Sequence, residues 1–276
     1  MNLTTSRELS EIAGQAARAV GDRLRKAFRS RPSVETKKDF HDPVTEHDRA
    51  AEETIREVLA ERCPGSTVVG EEGGTAAGAA GESAGSGIRW YVDPIDGTAN
   101  FAAGIPFFCV SIAAAEGDEV VAGVIYDPLR DEMFRADLGG AWCDDVRLRS
   151  AGAARDREAV LLSSYPGPHD LAADGREALL RFGRMVESFA SVRRPGSTAL
   201  KLAHVAGGWA DVAYGSGVSP WDVAAGALLV RQAGGAYLPF GGAILKPGGY
   251  IAHVGGFDLA GSVIREIAFP DAGRTA

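Results

Sequence analysis

The segment Trp90-Tyr91-Val92-Asp93-Pro94-Ile95-Asp96-Gly97-Thr98-Ala99-Asn100-Phe101 limits the possible folds more than any other stretch of the chain. An apolar strand runs into Asp93, and Pro94 biases that residue toward extended backbone. A carboxylate is therefore presented at a strand end. Asp96 follows three positions later, and Gly97-Thr98 opens a turn or short helix whose free N–H groups and dipole suit an anion. Two carboxylates beside an anion-receiving helix start call for a bridging cation. Hard oxygen donors of this kind suit Mg²⁺, Mn²⁺ or Ca²⁺ rather than a soft metal. Asp-Pro and Asp-Gly are also ordinary turn pairs, so the segment alone serves either reading.

Three other acidic segments carry the same ambiguity. Gly70-Glu71-Glu72-Gly73-Gly74 follows the apolar pair Val68-Val69 and reads as a tight turn beyond a strand, solvated or functional. In Ser219-Pro220-Trp221-Asp222, Ser at the N-cap, Pro at N1 and an acid at N3 make a helix start that needs no metal. Asp48, three residues after Thr45, completes a capping box and is explained by that alone.

Periodicity supplies the frame. Leu9, Ile12, Ala13, Ala16, Val20, Leu24, Ala27 and Phe28 recur three and four apart, which predicts an amphipathic N-terminal helix. An extended link at residues 31–41 leads to the Thr45 box and a second helix ending near Cys63-Pro64-Gly65. Residues 74–87 hold small or flexible side chains apart from one Glu and read as a mobile surface loop. From Ile88 the period shortens, predicting strands over 88–92, 109–115, 120–126 and 133–136 in a mixed or antiparallel sheet. The second half alternates, with strands expected at 160–163, near Val212, at 243–245 and at 251–253. Helices are expected at 171–182, 198–206, 221–232 and 259–267. Helices and sheets thus layer in both halves, an α/β (α+β) class, and Pro166–His169 is the candidate junction.

The chain has 276 residues, 45% of them apolar, enough for one compact body of two halves, about 1–160 and 161–276. A net charge of −8 and a pI near 5.2 argue against a nucleic-acid or anionic-membrane surface. An acidic protein that handles phosphate must import positive charge, and metal is the obvious source. Cys63, Cys109 and Cys143 form no CxxC pair, so neither a disulfide framework nor zinc is indicated. The N-terminus is too polar for a secretory segment, and no apolar run reaches the roughly 18 residues of a membrane span. A reducing, cytoplasmic location is the expectation.

Taken together and in order, four segments resemble the inositol monophosphatase family of the fructose-bisphosphatase-like superfamily, over about residues 8–265. They are Asp42-Pro43-Val44-Thr45-Glu46-His47-Asp48, then Gly70-Glu71-Glu72, then Asp93 to Phe101. The fourth is Trp221-Asp222-Val223-Ala224-Ala225-Gly226, leading to Gln232-Ala233-Gly234-Gly235. The resemblance implies a layered αβαβα sandwich. Within a single phosphatase domain over 1–276, the first half would bind metal and the second complete the substrate site. It also implies a Mg²⁺-dependent phosphomonoesterase with two to three ions, Mn²⁺ substituting, that turns metal-activated water on a small phosphorylated polyol, sugar or amino alcohol.

Carried over residue by residue, the resemblance has Glu71, Asp93 and the carbonyl of Ile95 bind one Mg²⁺. Asp93, Asp96 and Asp222 bind a second, and a weaker third lies near Glu71. Thr98, Glu71 and Asp48 orient and deprotonate the attacking water, while the backbone of Gly97 and Thr98 cradles the phosphate. Gly196-Ser197-Thr198 matches the family's substrate loop, and Arg193 and Arg194 before it read as solvated charges. Gly215 stands where relatives acting on inositol phosphate carry a Glu, which argues against myo-inositol phosphate. Lithium inhibition and a homodimer are further implications. Sugar or nucleotide bisphosphatase and histidinol-phosphate phosphatase are the enzymatic alternatives, and a regulatory or scaffold homologue the other, because some relatives also bind transcription machinery.

Overall fold

The computed structural model describes residues 1–37, 43–77 and 86–269. The expected N-terminal helix is α1 (Leu3–Ala27), opened by the Asn2 side chain, which accepts the Thr5 N–H at 2.9 Å. Its stripe of Leu9, Ala13, Ala16, Val20 and Leu24 is buried. In the link, β1 (Val34–Thr36) pairs antiparallel with β2 (Pro43–Thr45). Then α2 (Glu46–Arg62) starts on the Thr45–Asp48 capping box and stops at Cys63.

Next come β3 (Thr67–Gly70), β4 (Gly74–Ala77), β5 (Ile88–Asp96) and the short helix α3 (Thr98–Ala103). A meander follows: β6 (Cys109–Glu116), β7 (Glu119–Asp127), β8 (Glu132–Asp137), β9 (Gly140–Cys143) and β10 (Val146–Arg147). These make an eight-stranded sheet in the order β10-β9-β8-β7-β6-β5-β3-β4. It is mixed, because β3 runs parallel to β5 while the other pairs are antiparallel. The loop expected at 74–87 fails at its start: residues 74–77 pair with β3, since ladder hydrogen bonds need no side-chain bulk. Residues 78–85 of that expected loop lie outside the described residues.

Both faces of this sheet are buried. Trp90, Val92, Val110, Ile112 and Val124 join the core under α1 and α2, while Tyr91, Cys109, Ala113 and Ile125 join the core on the other side. The alternation is the two-residue period of a strand, and burial on both faces is why these stretches read as continuous apolar runs.

The chain reaches the second sheet across residues 148–159, ahead of Pro166–His169. It continues as β11 (Val160–Ser163), α4 (Pro168–Asp174), α5 (Arg176–Ser188), β12 (Ser191–Arg193) and α6 (Thr198–Ala206). Then follow β13 (Val212–Ser216), α7 (Pro220–Gln232), β14 (Ala236–Phe240), β15 (Gly249–His253) and α8 (Val263–Ala268). Their five strands order as β12-β11-β13-β15-β14. Helices α6 and α7 contact each other and both sheets, and α5 contacts β12 and α8. The stack is thus α1 and α2, the eight-stranded sheet, α6 and α7, the five-stranded sheet, then α4, α5 and α8: the expected αβαβα sandwich.

Three expectations for the second half are corrected. The helix over 171–182 is two helices, broken at Gly175, whose φ of 53° and ψ of −122° suit glycine. The strand at 243–245 is only a bridge between Ala243 and Lys246, and β14 lies just upstream instead. The last helix splits into a 3₁₀ turn at Leu259–Gly261 and α8. No described helix is long and apolar enough to cross a membrane.

Candidate active site

Three elements deliver four acids to one place. The end of β5 carries Asp93 and Asp96, the turn after β3 carries Glu71, and the first turn of α7 carries Asp222. Carboxylate oxygens of Asp93, Asp96 and Asp222 all lie within 4.8 Å of one another. They line a cavity of about 200 Å³ together with Glu71, Ile95, Gly97, Thr98 and Thr198. The capping role read for Asp222 is also real, because its Oδ2 accepts the Ser219 N–H at 2.7 Å. One residue thus caps a helix and faces the cluster.

Asp48 behaves the same way. Its Oδ2 accepts the Thr45 N–H at 2.8 Å, and its Oδ1 accepts from Thr98 Oγ1 at 2.9 Å. Thr98 Oγ1 also lies 3.0 Å from the Ile95 carbonyl. A hydroxyl has one proton, so it donates to one of these acceptors at a time. Residue Asp42 of the first motif lies outside the described residues.

Asp96 ties the site to the second half of the chain. It accepts the N–H groups of Thr198 at 3.1 Å and Ala199 at 2.6 Å, and the Ser197 hydroxyl. The Ser197 hydroxyl is therefore committed to Asp96 and, as acceptor, to the Leu200 N–H. Gly196 sits at φ 106°, and a Cβ there would stand 2.4 Å from Asn100 Nδ2. Asn100 Nδ2 donates to Phe107 O and Pro195 O, each at 2.7 Å, so the 195–199 loop is clamped to the Asp93–Phe101 segment. Gly215 lies on β13 opposite Tyr250, outside the lining of the acidic cavity. Arg193 is exposed as expected, but Arg194 is not merely solvated: it donates to Tyr165 O at 2.5 Å and Pro166 O at 3.2 Å.

Charge is the dominant physical fact here. Burial, then the carboxylates of Glu71, Asp96 and Asp222, holds the Asp93 carboxyl well above its ordinary range. Burial and then Asp96 does the same to Asp222. Glu71, Asp96 and Asp48 are also pushed up, burial being the largest cause for each. Such a cluster requires protons or a cation for neutrality. All-oxygen donors at this spacing fit hard divalent ions, so the residues present fit Mg²⁺.

Sequence reasoning missed four participants. Lys37 Nζ donates to Glu71 Oε1 at 2.8 Å and Glu72 Oε1 at 2.5 Å. Glu52 accepts from the turn that carries Glu71. Asn100 clamps the substrate loop. Lys201 is buried at 1% exposure, and burial pulls its ammonium down to about 8 against the opposing pull of Asp96 and Asp222. The helical period offered one signal, since Glu52 and Asp48 stand four apart on one face of α2.

Comparison with known proteins agrees with this architecture. The model of the inositol monophosphatase family matches residues 5–266. The Nus factor SuhB of Pasteurella multocida is 39% identical over 233 residues, covering 84% of this chain and 85% of that protein. The Nus factor SuhB of Pseudomonas aeruginosa is 40% identical over 236 residues, covering 84% and 85%. Among solved structures, the extragenic suppressor protein SuhB of Bartonella henselae aligns with a TM-score of 0.82 at 32% identity, covering 97% of this chain and 99% of that one. Inositol monophosphatase from Anabaena aligns at 0.76 and 32% identity, covering 93% of each. With the acidic motifs in family order and the same five-layered sandwich around them, the chain belongs to the inositol monophosphatase family.

Proposed function

We propose that the chain is a Mg²⁺-dependent phosphomonoesterase acting on a small phosphorylated polyol, sugar or amino alcohol. The observation that carries this reading is the set of three carboxylates, Asp93, Asp96 and Asp222, with oxygens within 4.8 Å of one another. It lies in one cavity with Glu71 and Thr98. Glu71, Asp93 and the Ile95 carbonyl would hold one ion, and Asp93, Asp96 and Asp222 would hold a second. Bound Mg²⁺ lowers the pKa of water and neutralises the charge that develops on the phosphoryl group.

The protein's own groups do the rest. Thr98 donates its proton to Asp48 and keeps lone pairs free to receive one from the attacking water, with Glu71 as the nearby second base. The first turn of α3, at Gly97 and Thr98, presents N–H groups to the phosphate. Gly215 leaves no carboxylate to grip ring hydroxyls, so substrates other than myo-inositol phosphate are favoured, sugar phosphates and histidinol phosphate among them, with a sugar or nucleotide bisphosphate as the alternative. The two halves work as one phosphatase domain, in a lithium-sensitive cytoplasmic homodimer.

Asp93→Asn tests the metal assignment, because Asp93 would serve both ions. Turnover falls by several orders of magnitude with the fold intact; near-normal turnover refutes the assignment.

The Nus factor name of the relatives supports a second reading, a regulatory or scaffold role carried by the same fold. Metal binding without turnover of any phosphate ester favours that reading.

A further inference from the structure

Helix α2 carries two buried acids four residues apart, and each reaches a different part of the site. Asp48 reaches Thr98, as described. Glu52, 2% exposed, reaches the turn after β3. Its Oε2 accepts the Glu72 N–H at 2.8 Å, and its Oε1 accepts the Gly73 N–H at 2.8 Å and Arg56 Nε at 2.9 Å. Arg56 then donates to Gly74 O at 2.7 Å and Val68 O at 3.3 Å. The turn bearing Glu71 is thereby held from the strand before it and the strand after it.

The glycines of this turn exist for that carboxylate. A Cβ on Gly70 would stand 2.4 Å from Glu52 Cδ, and one on Gly73 would stand 2.8 Å from Oε1. On its other side the Glu71 N–H donates to Val92 O at 3.1 Å, one residue before Asp93. Glu71 is thus fixed relative to Asp93 by β5 and relative to Thr98 by α2.

We propose that Glu52 is a positioning residue for the metal site, acting through Glu71, with α2 as the rigid spacer that links the Glu71 turn to Thr98. The proposal rests on the reading of Glu71 as a metal ligand. A buried carboxylate is costly to desolvate, and a hairpin turn of this kind already has its β3–β4 ladder to hold it. Groups that orient a ligand from behind typically change metal affinity by about 10- to 100-fold when removed.

The experiment is calorimetric titration of Mn²⁺ into metal-free wild type, Glu52→Gln, Gly70→Ala and Glu53→Gln, with phosphatase kinetics across Mg²⁺ concentration. Glu52→Gln and Gly70→Ala, which disturb the same contact from opposite sides, both weaken metal binding by about 10- to 100-fold. Their kcat recovers toward wild type at saturating Mg²⁺. Glu53→Gln, an exposed neighbour, matches wild type. A Glu52→Gln protein with a lowered Tm but wild-type metal affinity would have lost only a structural contact, and the proposal falls. If Glu52→Gln does not fold, Gly70→Ala decides by the same criterion. Wild type that binds no Mn²⁺ overturns the metal reading of Glu71 and the proposal with it. Wild type that binds Mn²⁺ and turns over, with both variants indistinguishable from it, overturns the positioning role alone.

Discussion

Thr98 Oγ1 lies 2.9 Å from Asp48 Oδ1, fifty residues away in sequence, with both side chains buried. In the proposed reaction this contact would make the threonine hydroxyl a relay between water and a carboxylate rather than a nucleophile. Thr98→Val is therefore expected to lower kcat by about 10²-fold or more, within the range of general-base catalysis. Asp48→Asn does the same, and the double variant is scarcely worse than either single, because both remove one relay. Steady-state kinetics of the three proteins checks this, and fully additive losses contradict it.

Metal-free stability depends on pH with a defined sign. Asp93 and Asp222 are held well above the carboxylate range, by burial first and by neighbouring carboxylates next. The folded state thus holds protons more tightly than the unfolded state, whose aspartates titrate near 4. The stability contributed is full below that value and is lost as pH rises through the elevated folded values. In chelator, Tm is expected to be higher at pH 5 than at pH 8. Mg²⁺ raises Tm strongly at pH 8 and little at pH 5, because ions and protons compete for the same oxygens. A Mg²⁺ effect on Tm that is the same at both pH values contradicts the account.

The structure explains the glycine at 215. Gly215 and Tyr250 are cross-strand partners on β13 and β15, and a Cβ at 215 would lie 2.7 Å from Tyr250 Cε1. Tyr250 is fully buried and stacks on Tyr237 at 5.6 Å, so it has little room to yield. Gly215→Ala is expected to cost about 1–3 kcal/mol from overpacking, and Tyr250→Ala to relieve most of that cost in the double variant. Gly215→Glu gains turnover of myo-inositol phosphate only when combined with Tyr250→Ala. Thermal melts and kinetics of the set check both points, and a Gly215→Ala protein as stable as wild type contradicts the first.

The acids were legible in sequence because each sits in a short local pattern. Asp93 ends a strand before proline, Asp48 and Asp222 complete capping arrangements, and Glu71 lies on a glycine-flanked turn. What they do together was legible only through their order along the chain, since Asp96 meets Thr198 and Ala199 a hundred residues away. Lys37, Asn100 and Lys201 have partners distant in sequence and no local pattern marks them, while Glu52 carries only the weak signal of its four-residue spacing from Asp48 on α2. The strand β14 was missed because Pro239 interrupts its pattern, and it tolerates proline because it is an edge strand. The helix over 171–182 was read through Gly175 because the apolar period persists on both sides of the break.

The activity proposed for this protein is metal-dependent phosphoester hydrolysis at the Asp93–Asp96–Asp222 cluster. It is tested most directly by phosphate release from a panel of inositol, histidinol, hexose, pentose and nucleotide phosphates, with Mg²⁺ and with chelator. Turnover of at least one substrate is expected to require Mg²⁺, to stop in chelator and to be abolished by Asp93→Asn. Turnover that persists in chelator, or that Asp93→Asn leaves intact, contradicts it. So does silence across the panel from a protein shown to bind the metal.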